Sequence, residues 1–306
     1  MSIPCLLNSA ARNLSSGIAG FLRQGALCSC AFTRQMTTPG RADHLERTAS
    51  NYRQMTIFPA RVCGISQESE SVRRLRLEVQ HPNFSFKAGQ WVDFFIPGMQ
   101  KVGGFSMCSA PSLLQREGVI ELAIKYTPHP PAHWVHTKCA LDSHVAVRVG
   151  GDFFYDPAPD DGPVDLLLVA GGVGINPLYS ILLHAADLLR HSHTSGHTYT
   201  PGHTHLLYSA KNTQELLFKN TITEMCKEFP EKISCSFNLT RQTGDIDQEL
   251  QPYSRLGRIS EEQLEQRVTE RTLCFMCGPP PMIESASAML RSAGLSDDRI
   301  RYEKWW

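Results

Sequence analysis

The sequence has neither an excess of charge nor a long hydrophobic run. Its 306 residues include 30 basic and 30 acidic side chains, so no net charge would attract nucleic acid or an anionic membrane surface. No apolar run reaches the roughly 18–20 residues that a membrane-spanning helix requires. We therefore expect neither a nucleic-acid partner nor a transmembrane segment, and the length favours about two domains.

The ten cysteines follow neither the spacing of an iron–sulfur protein nor that of a small disulfide scaffold. This scatter favours a reduced compartment without disulfides. Cys274 and Cys277 form a Cys-x-x-Cys pair, but Cys274 falls within an apolar strand, and we expect it to pack rather than to react. The histidines between His191 and His205 have no neighbouring carboxylate or cysteine. We expect a solvated loop there and no metal site.

Acidic residues are absent before Asp43. The same segment contains several serines and four arginines, Arg12, Arg23, Arg34 and Arg41. This composition is typical of an organelle-import presequence, so we predict that residues 1–50 are a mitochondrial presequence or a disordered tail, which implies a location in the matrix. A secretory signal is the alternative, although no basic residue precedes its apolar stretch.

Residues 51–160 read as an antiparallel β-barrel, because short apolar segments alternate with Gly and Pro turns. Strands are predicted at Val62–Ile65, Val72–Val79, Gly89–Ile96, Val119–Tyr126 and His144–Val149, with a short helix at His133–Ala140. A linker-like run, 156–163, follows.

Residues 161–306 alternate between strands and helices, which indicates a doubly wound parallel sheet of the α/β class. Strands are predicted at 166–170, 205–209, 233–239 and 273–277, and helices at 175–190, 213–229, 260–270 and 282–293, the last capped by Gly294. The fold class is thus a barrel followed by a nucleotide-binding α/β domain.

The first strand of this second domain ends in a glycine-rich turn. Gly171, Gly172 and Gly174 precede a helical pattern that Asn176 is expected to cap. Strand, glycine turn and helix together offer backbone N–H groups to a phosphate, so the pattern predicts dinucleotide binding. A second interpretation stays open, in which the glycines only allow a tight turn to pack closely.

Two motifs carry a family resemblance: Gly-Gly-Val-Gly-Ile-Asn-Pro at 171–177 and Cys-Gly-Pro-Pro-Pro-Met at 277–282. With the preceding barrel, they make residues 57–306 resemble the ferredoxin–NADP reductase superfamily of flavin-linked oxidoreductases. The resemblance implies NAD(P)H-dependent hydride transfer between nicotinamide and FAD, with a separate, unidentified electron acceptor. It also implies that the dinucleotide is bound by Gly171, Gly172, Val173, Gly174, Ile175 and Asn176, with Cys277 and Gly278 near the nicotinamide. If the strands before the two motifs are neighbours, both motifs face one crevice.

The family's flavin motif, Arg-x-Tyr-Ser-x-x-Ser, corresponds to residues 103–109. Gly103 stands where the family has the arginine that holds the FAD pyrophosphate, and Lys101 is the nearest cation. The resemblance implies catalytic roles for Ser106, Cys277 and Glu303, and flavin contacts for Phe105, Ser109 and the terminal Trp306. The missing arginine supports an alternative, a non-catalytic NAD(H)-binding or partner-binding mitochondrial protein with a degenerate flavin site.

The choice between NAD and NADP depends on the end of the second parallel strand. An acid at this position binds the ribose hydroxyls of NAD, but the first acid here is Glu215. Ser209 and Lys211 suit a 2′-phosphate instead. The resemblance favours NAD, and we expect NAD, with NADP as the alternative.

Overall fold

Two six-stranded sheets, one antiparallel and one parallel, form the fold of the computed structural model, which describes residues 43–194 and 201–304. The predicted order, an antiparallel domain followed by a parallel α/β domain, is confirmed. Most of the predicted presequence and the terminal Trp306 lie outside the described residues.

The antiparallel sheet curves into a barrel around an apolar interior. Its elements are α1 (His44–Arg47), β1 (Phe58–Ser69), β2 (Val72–Glu78), β3 (Trp91–Phe95), β4 (Gly103–Ser106), α2 (Pro111–Glu117), β5 (Val119–Lys125), α3 (Pro130–Thr137) and β6 (His144–Gly150). The strand order is β4-β3-β6-β1-β2-β5, and a bridge between Met107 and Leu122 connects its two edges. Leu75, Val92 and Phe94 are fully buried inside.

The five predicted barrel strands are present, and β4 is an additional strand. The first strand is longer than predicted at both ends, because Phe58–Arg61 pair with β6 and the pairing with β2 continues as far as Ser69. The predicted helix at His133–Ala140 begins earlier, at Pro130, since proline is well suited to the first turn of a helix.

The parallel sheet follows with alternating strands and helices. Its elements are β7 (Asp165–Gly171), α4 (Ile175–Thr194), β8 (Thr204–Ala210), α5 (Lys219–Glu228), β9 (Ile233–Leu239), β10 (Ser254–Leu256), α6 (Glu261–Glu265), β11 (Thr272–Cys277), α7 (Pro280–Ser292) and β12 (Ile300–Glu303). The strand order is β10-β9-β8-β7-β11-β12. The helices predicted at 213–229 and 260–270 are shorter in the structure, where they are α5 and α6. Gly294 follows α7 at φ +92°, as expected of a C-terminal cap. Within the described ranges, no helix combines the length and the hydropathy needed to cross a bilayer.

The prediction that Asn176 caps the helix after the glycine turn is wrong. A 3₁₀ turn, Gly172–Gly174, leads directly into α4, so Asn176 is the second helical residue. Its side-chain Nδ2 donates to the backbone oxygen of Ala123 on β5 at 2.7 Å. Asn176 therefore joins the two domains instead of satisfying the helix terminus.

Helix α4 contacts the barrel through a row of polar side chains. Besides Asn176, Ser180 donates to the backbone oxygen of Ser109 at 2.7 Å and accepts from Gly89 N at 3.3 Å. Apolar residues from both domains, including Phe153 and Phe275 with ring centroids 5.2 Å apart, pack beside this row. These contacts fix the glycine turn at the start of α4 relative to the barrel.

Candidate dinucleotide-binding site

A crevice of about 580 Å³ lies at the carboxyl ends of the parallel strands. Its volume is within the range of small-molecule and cofactor sites. Its walls come from the ends of β7, β8 and β9, from the start of α7 and from β2 and β5 of the barrel: Val72, Lys125, Gly171, Gly172, Val173, Ser209, Lys211, Thr240, Arg241, Pro279, Pro281 and Met282. Because β7 pairs with both β8 and β11, the two sequence motifs meet here, as the sequence predicts.

Three glycines are needed for close contact between the two motifs. A Cβ on Gly174 would lie 2.3 Å from the backbone oxygen of Cys277, and one on Gly171 would lie 2.7 Å from Cδ of Pro279. A Cβ on Gly278 would lie 3.0 Å from the backbone of Gly171 and 2.5 Å from Cε of Met282. For these glycines the close-packing interpretation holds.

Gly172 has a different environment. It is exposed, its φ is +55°, and a Cβ there would find nothing within 4 Å. The left-handed backbone favours glycine. The open space belongs to the crevice, immediately before the 20-residue helix α4, whose N-terminus carries a partial positive charge. Gly172 is therefore the glycine of the turn that a ligand can approach.

The crevice is electropositive. Among the described residues that line it, Lys125, Lys211, Arg241 and Arg258 are cationic and Glu215 alone is acidic, which gives four positive charges against one negative. The Glu215 carboxylate accepts a hydrogen bond from Ser71 Oγ at 3.2 Å. The walls thus suit an anionic ligand that also presents hydroxyl donors.

Three of these cations, Lys125, Arg241 and Arg258, were not predicted from the sequence. Arg241 could have been found, because it follows the predicted strand 233–239 and so must lie at the carboxyl edge of the sheet. The positions of the other two could not be inferred, because Lys125 reaches the crevice through the packing of the barrel on the parallel sheet and Arg258 lies in a loop after β10. The sequence motif at 277–282 includes Met282 but does not indicate that its side chain packs against Gly171 and Gly278.

The predicted catalytic residues lie together, and none of them is among the residues that line the crevice. Ser106 Oγ donates to Glu303 Oε2 at 3.2 Å, and both residues are buried. Cys277 is the register partner of Glu303 in the β11–β12 pair and is also buried. Complete burial raises the pKa of the neighbouring Cys274 thiol, which is consistent with a packing role for that cysteine.

The predicted flavin residues of the barrel make internal contacts. The Phe105 ring packs 5.5 Å from that of Phe94, next to the barrel core. Ser109 is 1% exposed, and its Oγ accepts from Glu121 N at 3.0 Å. A Cβ on Gly103 would lie 2.7 Å from the Phe105 ring and 3.0 Å from Cβ of Pro131, so an arginine does not fit there without rearrangement.

The residues present do not fit FAD in the way that the resemblance implies. Helix α3 has prolines at its first two positions, Pro130 and Pro131, and these cannot donate a backbone N–H to a phosphate. Lys101, the nearest substitute for the missing arginine, pairs with Asp43 at 3.3 Å. Position 103 therefore offers no guanidinium fork to the FAD pyrophosphate, and the first two residues of α3 offer it no backbone N–H. Nor do the described residues group three His, Cys, Asp or Glu side chains as a metal site.

The family profile described as "Oxidoreductase NAD-binding domain" matches residues 168–288. The curated relatives include proteins named oxidoreductase NAD-binding domain-containing protein 1. The protein of Danio rerio is 67% identical over 272 residues, covering 89% of this chain and 100% of the relative. The protein of Homo sapiens is 55% identical over 274 residues, covering 90% and 88%.

Solved structures share the fold at low sequence identity. The cytochrome P450 reductase GcoB of Amycolatopsis has a TM-score of 0.66 at 21% identity, covering 83% of this chain and 71% of that one. The ferredoxin NADP+ reductase of Neisseria gonorrhoeae, solved with bound FAD and NADP, has a TM-score of 0.63 at 17% identity, covering 82% and 99%. These likenesses establish the two-domain reductase fold.

Proposed function

Because this chain belongs to the family of the oxidoreductase NAD-binding domain-containing proteins, we propose that it binds a nicotinamide dinucleotide in the crevice of its parallel sheet and uses it in a redox reaction. The observation that carries the proposal is Gly172, an exposed glycine with open space above it, at the start of a long helix and within an electropositive cavity. Helix N-termini and glycine turns together favour a phosphate.

In this proposal the pyrophosphate lies against Gly172 and Val173, and the adenosine end extends towards Lys211 and Arg241. NAD is the proposed dinucleotide, since Glu215 offers an acceptor to ribose hydroxyls. Lys211 and Arg241 would also accept the 2′-phosphate of NADP. Parallel titrations with NADH and NADPH test this choice, and a clear preference for NADPH would reverse it.

Replacing Gly172 by aspartate should weaken NADH binding by about 2 kcal/mol, or roughly 30-fold, because a carboxylate would face the pyrophosphate. Asparagine is the matched control, since it has the same shape without the charge, and both residues tolerate the left-handed conformation. Titration calorimetry of both variants measures the difference. Equal affinities for the aspartate and asparagine variants would mean that the phosphates lie elsewhere.

A flavin-linked reductase with an unidentified electron acceptor is a second candidate. One observation favours it: Ser106 and Glu303, which the family resemblance places at the reacting rings, remain hydrogen-bonded across the two domains. The glycine at position 103 and the prolines at the start of α3 argue against it, because neither can bind the FAD pyrophosphate as the family does. We expect purified protein to show no flavin absorbance at about 450 nm, before or after incubation with FAD. A stoichiometric flavin spectrum that NADH bleaches would instead establish the reductase.

We propose a mitochondrial location from the arginine-rich, acid-free composition of the first 42 residues. A presequence that ends before Asp43 would leave the described contacts of the barrel intact. Imaging a fluorescent protein fused to residues 1–42 tests the location, and entry into the secretory pathway would favour the alternative.

A further inference from the structure

One hydrogen bond connects the barrel to the acidic side chain in the crevice wall. Ser71 lies in the turn between β1 and β2, and its Oγ donates to Oε2 of Glu215 at 3.2 Å. Glu215 follows β8 and lines the crevice together with Lys211. A carboxylate of the parallel domain is therefore held by a residue of the barrel.

The backbone of Glu215 is fixed by two further hydrogen bonds. Its N–H donates to Oδ1 of Asn212 at 3.1 Å, and its carbonyl oxygen accepts from Tyr208 Oη at 3.4 Å. Asn212 caps the 3₁₀ turn Thr213–Glu215, and Tyr208 is fully buried. The freedom that remains to Glu215 lies in its side-chain torsions, and the hydrogen bond from Ser71 restricts these.

Ser71 is held in place by the strands on either side of it. Its N–H donates to Ser69 Oγ at 3.3 Å, and its carbonyl oxygen accepts from Tyr126 N at 2.8 Å. The next residue, Val72, pairs with Lys125 of β5, and both line the crevice. The Ser71 hydroxyl therefore belongs to a hydrogen-bonded edge of the barrel that forms part of the crevice wall.

The two oxygens of the Glu215 carboxylate differ in their contacts. Oε2 accepts the hydrogen bond from Ser71, whereas none of the residues in 43–194 and 201–304 donates to Oε1. Within the same ranges, no lysine or arginine forms an ion pair with this carboxylate. Oε1 is thus the oxygen that can accept a hydrogen bond from a ligand hydroxyl.

We propose that Ser71 is a positioning residue that orients Glu215 towards the adenosine ribose and thereby makes the crevice prefer NAD to NADP. The inference rests on the proposed function and adds a barrel residue to its specificity. The 2′-hydroxyl of NAD donates to the carboxylate, whereas the 2′-phosphate of NADP is repelled by it. Lys211 and Arg241 attract that phosphate, but both are exposed, so solvent and salt screen the attraction.

Titrations of the full chain with NADH and with NADPH test the proposal through the ratio of the two dissociation constants. Ser71→Ala should lower the preference for NADH by about fivefold, because the loss of one hydrogen bond lets the carboxylate turn away from the ribose. Ser71→Thr keeps the hydroxyl and should retain the wild-type ratio. The matched control is Ser66→Ala, because Ser66 is an exposed serine of β1 whose Oγ accepts from Arg74. An unchanged ratio in Ser71→Ala would overturn the proposal.

Glu215→Gln distinguishes an action through Glu215 from a general structural effect of Ser71. Glutamine keeps the shape without the charge, so NADPH binding should strengthen relative to NADH binding by about tenfold. In this background Ser71→Ala should change the ratio no further, since the two residues act through one contact. A further fivefold change in the double variant would contradict the proposal, and so would a wild type that prefers NADPH. A wild type that binds neither dinucleotide would overturn the proposed function itself, whereas binding with unaltered ratios in the variants would overturn this inference alone.

Discussion

Replacing Gly174 by alanine is expected to lower the free energy of unfolding by about 3 kcal/mol, the upper part of the range for overpacked sites. The added Cβ would lie 2.3 Å from the Cys277 oxygen and 2.8 Å from Gly278 N. Both are backbone atoms, and the pairing of Cys277 with Ala170 holds that backbone against β7. The clash therefore cannot be relieved by rotating a side chain, and the two motifs must move apart.

Gly162→Ala is the matched control, because a Cβ at Gly162 meets nothing within 4 Å and its φ lies outside the left-handed region. Its effect should stay within about 0.5 kcal/mol. Urea denaturation of both variants measures the difference, and NADH titration of folded Gly174→Ala should also show weakened binding. If the two variants are equally stable, the two motifs are not in the contact described.

Replacing Asp93 by alanine is expected to destabilise the protein by about 3–5 kcal/mol. The substitution leaves His44, Arg53 and Arg148 facing one another without the carboxylate that holds them. A buried ion pair that loses one partner is strongly unfavourable, because the remaining charges stay desolvated. Thermal unfolding at neutral pH measures the loss. Asp156→Ala is the control, since Asp156 is exposed and pairs with Lys87 at the surface.

The same carboxylate should make stability depend on pH. Burial raises the pKa of Asp93, but hydrogen bonds from His44, Arg53 and Arg148 outweigh it, and the net pKa lies below its usual value. A carboxyl whose folded-state pKa is depressed stabilises the protein above its unfolded-state pKa of about 3.9. This contribution is lost as the pH falls through the folded-state value. Asp93→Asn should therefore show a shallower loss of stability than the wild type between about pH 5 and pH 2.

The sequence was most informative where strands are buried on both faces. The prediction of a strand at 233–239 matches β9 residue for residue, and β7 extends the predicted run by one residue at each end. Parallel strands covered by helices on both sides are nearly continuous apolar runs, so they can be recognised in the sequence without knowledge of tertiary contacts. The glycine motifs likewise identified the crevice, because the topology of such sheets brings strand ends together.

Elements defined by tertiary contacts could not be predicted. Strand β4, Gly103–Ser106, has no alternating pattern and forms because β3 pairs with it. Gly174 packs against the backbone of Cys277 whereas Gly172 faces open space, and the sequence of the motif does not show which neighbours each glycine has. Residues 43–50 were assigned to the presequence or tail, although Asp43 and Glu46 have the spacing of a capping box.

The central claim is that a nicotinamide dinucleotide lies in the crevice between the two glycine motifs. A crystal structure of the full chain with NADH tests it most directly. We predict the pyrophosphate against Gly172 and Val173 at the start of α4, with the ribose and adenine towards Lys211. A dinucleotide bound at any other surface, or a crevice that stays empty at saturating NADH, would contradict the account.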